Sequence, residues 1–187
     1  ANLVAGPVAL NVGQDAANSA KFYMNDHNTY DWTSTNKTLW NSGSESSPTK
    51  TNYDPCPTGW RVPTKTELTS LKNANSTWKE TNTDGSSPNG LAGRWFGTNS
   101  ASATAANPSG CVFFPAAGYR HSEDGSAKSR YPTTIDGTLF NVSGGYRSST
   151  PWEDNSRSVY VLTFHSNNAS ISYPDRGKGF SVRCVRD

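Results

Sequence analysis

Hydrophobic and polar positions alternate most clearly in the last third of the chain. In "RSVYVLTFHS", residues 157–166, Tyr160, Leu162 and Phe164 fall on one side of an extended chain and Val159, Val161, Thr163 and His165 on the other, which predicts a strand. A second alternation sets Phe180, Val182 and Cys184 against Ser181, Arg183 and Val185 and predicts a final strand over 180–185. Between the two, "HSNNASISYPDRGKG" follows no period and reads as a polar loop with a turn at 174–179.

Upstream, "YDPCPTGWRVPTKTELTSLKN" predicts a short strand at Trp60 to Val62 and then a helix. Thr64 is its N-cap, Glu67 three residues later completes a capping box, and Leu68 and Leu71 form its apolar stripe. "GLAGRWFGT" suggests a brief strand or turn anchored by Trp95 and Phe96, and "CVFFPAAGYR" a compact strand that ends or bulges at Pro115. Asp-Gly at 124 and at 136 marks two hairpin turns. Residues 1–50 are less patterned, with a short helix expected in "DAANSAKFYM" and scattered aromatics expected to form a satellite of the core. No internal repeat or heptad pattern emerges. The reading is a loop-rich α+β domain, with short helices early and short antiparallel strands late.

Composition refines this picture. At 187 residues the chain suits one domain, and although only 33% of residues are hydrophobic, eight Tyr, seven Phe and six Trp can build a core. A net charge of +2 without any Lys/Arg block gives no footprint for nucleic acid. No apolar run reaches the roughly twenty residues that cross a bilayer, and "ANLVAGPVALNVG" lacks the makings of an intact signal peptide, so the chain is expected to begin after a processed or trimmed N-terminus. Abundant Asn, Ser and Thr fit an extracellular, cell-surface or phage-particle protein. Three cysteines allow three pairings; we favour Cys56 with Cys184, which would tie the first third of the chain to its end, and read Cys111 as a small buried hydrophobe.

Four pieces in order, "DPCPTGWRVPTKTEL", "FFPAAGYR", "YRSST" and "GFSVRCVRD", resemble the Fibrobacter succinogenes major paralogous domain family. That resemblance implies a C-type lectin-like fold related to the formylglycine-generating enzyme over residues 50–187, with 1–49 as an N-terminal segment packed on or extending it. The tail is also similar to the variable proteins of diversity-generating retroelements in phages and bacteria, including Bacteroides, in which a fixed apolar frame is interleaved with diversified ligand-binding positions. The frame would be Leu162, Phe164, Gly179, Phe180, Val182 and Arg183. The ligand-binding positions would be Arg147, Trp152, Asn155, Arg157, Ser158, Val161, His165, Asn167, Asn168, Ser170, Ser172, Tyr173, Asp175, Arg176 and Lys178. Where the family pattern reads Tyr-Trp-Ser-Ser-Thr, this chain has Arg147 in place of the aromatic, which leaves open whether that position is framework or diversified.

The expected activity is therefore binding without catalysis or cofactor, of a cell-surface protein or glycan; the alternative is an adhesin of fixed specificity. The related enzymes use a cysteine pair near the C-terminus, and this chain has only Cys184 there. Calcium-dependent lectins use an EPN or QPD loop, which is missing; Glu153, Asp154 and Asn155 could supply some oxygen ligands but are expected to be solvated loop residues. His121, Ser122, Glu123 and Asp124 are adjacent in sequence and read as a solvated hairpin instead of a catalytic triad.

Overall fold

The computed structural model describes residues 2–4, 21–23, 38–81, 84–128, 133–135, 138–140, 143–153 and 157–187. Within them the chain is mostly antiparallel β-sheet, with one short α-helix and long connections. Near the N-terminus β1 (Asn2–Val4) runs parallel to β2 (Lys21–Tyr23), so part of the segment expected to be helical is a strand; the rest of that expectation lies outside the described residues.

The "DPCPTGWRVPTKTEL" motif is a structural knot around the disulfide. Asp54, buried, accepts hydrogen bonds from the backbone of Cys56 at 2.8 Å and of Val62 at 2.8 Å, and from Lys50 Nζ at 2.9 Å. Its carboxylate thereby fixes the loop that carries Cys56, which is bonded to Cys184. Next comes β3 (Trp60–Arg61), paired antiparallel with the terminal β14 (Val185–Arg186). The helix α1 (Lys65–Asn73) starts where expected: the Thr64 side chain accepts from the Glu67 backbone N–H while the Glu67 carboxylate accepts from the Thr64 N–H at 2.8 Å. Glu67 also receives both terminal nitrogens of Arg61 at 2.7 Å, and Arg61 Nε lies 3.3 Å from Asp187, so one guanidinium ties helix start, strand and chain end together.

Two three-stranded antiparallel sheets complete the frame. One has the order β4 (Ser76–Lys79), β5 (Gly93–Phe96), β6 (Val112–Pro115). The other has the order β11 (Gly144–Pro151), β12 (Val159–Phe164), β13 (Ala169–Ser172). Between the sheets in chain order come two short hairpins. In the first, β7 (Tyr119–Arg120) and β8 (Ala127–Lys128) flank Asp124-Gly125. In the second, β9 (Thr133–Ile135) and β10 (Thr138–Phe140) pair with Ile135 opposite Thr138, as expected for strands flanking Asp136-Gly137.

The core joins α1 to both sheets. Leu68 of α1, Phe96 and Phe114 of the first sheet, and Tyr146, Leu162 and Phe164 of the second form one buried cluster. Two ring pairs meet edge-on, with centroids 4.6 Å apart for Phe114 and Tyr146 and 5.7 Å for Phe96 and Phe164, while Tyr146 and Phe164 stack at 6.0 Å, both being geometries that aromatic quadrupoles favour. Cys111 packs, partly buried, on a second cluster of Trp95, Ala103 and Phe113.

Two expectations are corrected. The alternation in β12 predicted one outward face, yet Val159 and Val161 are as buried as Leu162 and Phe164. Leu39, Trp40, Arg147 and Arg176 gather at Val159, so the strand is covered on both sides. The predicted strand over 180–185 is likewise reduced to Val185–Arg186. Before it the chain makes only single bridges, Gly179 to Arg120 and Ser181, in parallel, to Tyr146, because its partner changes from β7 to β11 within two residues. Phe180 anchors this segment by stacking on Tyr119 at 5.3 Å and lying against Gly145.

Candidate functional site

The turn between β12 and β13 is held from beneath. Arg94, on the central strand of the first sheet and 7% exposed, donates through Nη2 to the carbonyls of His165 (2.8 Å) and Ser166 (2.9 Å), and through Nη1 to Ser76 Oγ (2.9 Å). No carboxylate pairs with it among the described residues, and burial alone pushes its pKa below the ordinary guanidinium value. The guanidinium still stays charged at neutral pH, so a desolvated cation organises the carbonyls of an exposed turn. Above it His165, Asn167 and Asn168 face solvent, and the turn closes with the His165 N–H on the Asn168 carbonyl at 2.9 Å.

A second clamp fixes the loop before β12 and the loop after β13 to each other. Arg147 Nη1 donates to the Arg176 carbonyl at 3.0 Å, and the Arg147 guanidinium lies 4.7 Å from the Trp40 ring centroid. The Arg176 N–H donates to the Arg157 carbonyl at 2.8 Å, the Val159 N–H to Pro174, and Ser158 bridges Asp175. Arg147, Ser158, Val161 and Arg176 are thus inside the fold, at 8%, 5%, 0% and 3% exposure. Their side chains are covered by the rest of the fold, unlike those of the remaining described candidates.

The other described candidates remain wholly or partly accessible: Trp152, Arg157, His165, Asn167, Asn168, Ser170, Ser172, Tyr173, Asp175 and Lys178. Asn155 lies outside the described residues, as does Asp154. Trp152 and Tyr173 stack with centroids 4.3 Å apart and planes 12° from parallel, and Tyr173 is 53% exposed. Beside this pair an open groove of about 540 Å³ runs between α1 and β13, lined among others by Lys72, Asn168, Ser170 and Tyr173. A smaller cleft of about 200 Å³ also borders β13, bringing Ser172 and Lys178 to Tyr119 and Phe180. Ser170 is partly engaged inward, its hydroxyl 3.1 Å from that of Thr163.

Lys65, Thr69 and Lys72 also line the groove, and none was a sequence candidate. Their i, i+4, i+7 spacing on a helix fixed by its capping box places them on one face, a signal present in the sequence. What the sequence does not carry is which sheet that face borders.

At one end of the groove Lys65 Nζ donates to Glu153 at 3.0 Å and to the Tyr160 hydroxyl at 3.0 Å, and lies 4.1 Å from the Tyr160 ring centroid; the Tyr160 hydroxyl in turn donates to Glu153. The Tyr160 and Lys65 hydrogen bonds lower the Glu153 carboxyl to about 2. Bonds to Tyr160 and Glu153 raise the Lys65 ammonium, while burial and Glu153 raise the Tyr160 phenol. Each shift reinforces the charge state the group already holds at neutral pH, the opposite of tuning an acid or base toward pH 7. Glu153 is thereby committed to Lys65 and Tyr160. Among the described residues no three His, Cys, Asp or Glu side chains converge as metal ligands.

Residues 92–185 match the family described as "Domain of unknown function (DUF8237)", and the chain belongs to it. No curated protein and no solved structure matches the chain. The matched span begins just before β5 and ends at the start of β14; it contains Arg94, the second sheet and every residue of the two clefts beside β13 except those on α1.

Proposed function

We propose that this member of the DUF8237 family is a ligand-binding protein that presents a variable surface on a C-type lectin-like scaffold, as the variable proteins of diversity-generating retroelements do. Its partner is a cell-surface protein or glycan, and its place is extracellular, on a cell surface or on a phage particle. One observation carries the reading: the accessible candidates sit on β13 and on flanking loops whose backbones are held from inside by Arg94 and Arg147, so surface chemistry and structural support reside in different residues. The stacked Trp152 and Tyr173 supply rigid contact area, and Asn167, Asn168, Ser170 and Ser172 supply adaptable hydrogen bonds, the division of labour found in paratopes. The disulfide supports an oxidising compartment, and no helix among the described residues is long and apolar enough to cross a membrane.

The test is an array of glycans and bacterial surface proteins probed with the wild-type chain and with Trp152→Ala and Tyr173→Ala. Both variants are expected to lose binding to any hit at least tenfold while keeping the fold, since removal of a stacked aromatic at an interface centre commonly costs more than 1.4 kcal/mol. Hits unaffected by either change would move the site elsewhere. Sequencing the locus across isolates separates the two binding modes. Substitutions clustered at adenine-containing codons after about residue 146 indicate diversification, whereas an even spread indicates an adhesin of fixed specificity.

A further inference from the structure

On another part of the fold, where α1, β6 and the disulfide-linked chain end meet, there is a cleft of about 510 Å³. That volume falls within the ~300–1,000 Å³ usual for small-molecule sites. Leu68, Leu71, Val112, Phe114 and Val185 give it an apolar lining, and Trp60, 44% exposed, also lines it. Its charges are unbalanced. The one acid among the described residues that lines it, Glu67, pairs with Arg61 at 2.7 Å, and Arg61 in turn also reaches Asp187 at 3.3 Å. Arg183 and Arg186, which line the same cleft, have no carboxylate partner among the described residues. Arg183 is held in place: Nη1 donates to the Phe113 carbonyl at 3.0 Å and the guanidinium lies 5.0 Å from the Phe114 ring centroid, which leaves further N–H donors of a planar fork at the lining.

From an apolar lining that carries two guanidinium groups without a carboxylate partner among the described residues, we infer that this cleft binds an apolar carboxylate, such as a medium-chain fatty acid. The tail takes the surface of Leu68, Leu71, Val112 and Phe114, and the carboxylate meets Arg183 and Arg186 in charge-assisted hydrogen bonds. The site shares no lining residue with the groove beside β13 and stands independently of the function proposed above.

The full chain is titrated with octanoate, decanoate and 1-decanol, followed by calorimetry and tryptophan fluorescence. Decanoate is expected to bind saturably and octanoate more weakly, by up to about fourfold per methylene lost. Arg186→Gln, an exposed change that leaves the fold alone, should weaken decanoate about tenfold and leave 1-decanol unchanged, as should Arg183→Gln if it folds. Trp60→Phe should abolish most of the fluorescence response. Absence of saturable decanoate binding, equal affinity for decanoate and 1-decanol, an Arg186→Gln chain that binds decanoate like wild type, or a response that survives Trp60→Phe would each overturn the assignment.

Discussion

If the β12–β13 turn owes its shape to Arg94, replacing that residue should loosen the turn and destabilise the domain far more than changing anything on the turn's surface. Arg94→Met keeps most of the side-chain volume and removes the three hydrogen bonds to His165, Ser166 and Ser76. A hydrogen bond from a charged donor contributes about 1.5–3 kcal/mol, so the two carbonyl bonds alone set a gross loss of about 3–6 kcal/mol. Relief of the desolvation that lowers the Arg94 pKa offsets part of it, and the exposed position of His165 lets water reach at least one carbonyl. A net cost of about 2–3 kcal/mol remains, equivalent to a fall in Tm of roughly 5–10 °C for a chain of this size. Urea denaturation gives the stability, and native-state hydrogen exchange of the His165 amide, bonded to the Asn168 carbonyl, reports the turn itself. Asn167→Ala, on the same turn but solvent-facing, is the control and should stay within about 0.5 kcal/mol. An Arg94→Met chain as stable as wild type, with unchanged exchange at His165, would refute the claim that the turn is clamped from inside.

Three further outcomes follow from the same structure. Joint replacement of Cys56 and Cys184 by Ser opens a loop spanning 128 positions, for which chain entropy sets a stabilisation of about 5 kcal/mol; a loss below about 1.5 kcal/mol by urea denaturation would mean that Asp54 and Arg61 hold the knot without it. The Arg61 hydrogen bonds lower the Glu67 pKa, so this group stabilises the fold above its unfolded pKa, near ~4.3, and that contribution is lost as pH falls through the folded value; Glu67→Gln should flatten the acid limb of stability measured from pH 6 to 3, and an unchanged slope would assign it to other carboxylates. Gly144→Ala would place a methyl 2.1 Å from the Phe164 ring in the core, and overpacking of this kind costs about 1–3 kcal/mol; a thermal midpoint within 2 °C of wild type by about that measure would show that the ring can move aside.

Much of the frame could be read from local chemistry. The capping box of Thr64 and Glu67, the short strands around Trp95 and Phe113, the hairpin at Asp124-Gly125 and the core role of Leu162 and Phe164 each depend on a few neighbouring residues, and each is present in the structure. The pairing of Cys56 with Cys184 was one of three, and it too is present. The departures are all long-range. Alternation in β12 could not reveal that Trp40 and Leu39, more than a hundred residues earlier, gather at its second face. Gly144 and Gly145 lie within β11, where the rings of Phe164 and Phe180 occupy the space a Cβ would need. The resemblance alone puts Arg147 and Arg176 among the ligand-binding positions; only the packing shows both side chains buried, with the Arg147 guanidinium over Trp40 and bonded to the Arg176 carbonyl.

That inward turn changes what a diversified tail can be. Substitution at Asn167, Asn168 or Tyr173 alters only the solvent-facing surface, because Arg94 holds the turn below the two asparagines through backbone carbonyls, whatever side chains stand above. Substitution at Val161, fully buried beside Leu162, would insert a polar group without a partner or leave a cavity, at a cost of about 1–3 kcal/mol either way. Arg147 is constrained in the same sense, since its guanidinium holds the backbone carbonyl at 176, and the Arg176 side chain is constrained by its own burial. Physical tolerance therefore divides the interleaved positions into a free set and a fixed set. If the locus varies, variation confined to the free set is the outcome this division requires. Frequent replacement of Val161 or Arg176 in folded, secreted copies would show that the frame extends less deeply into the tail than its burial implies.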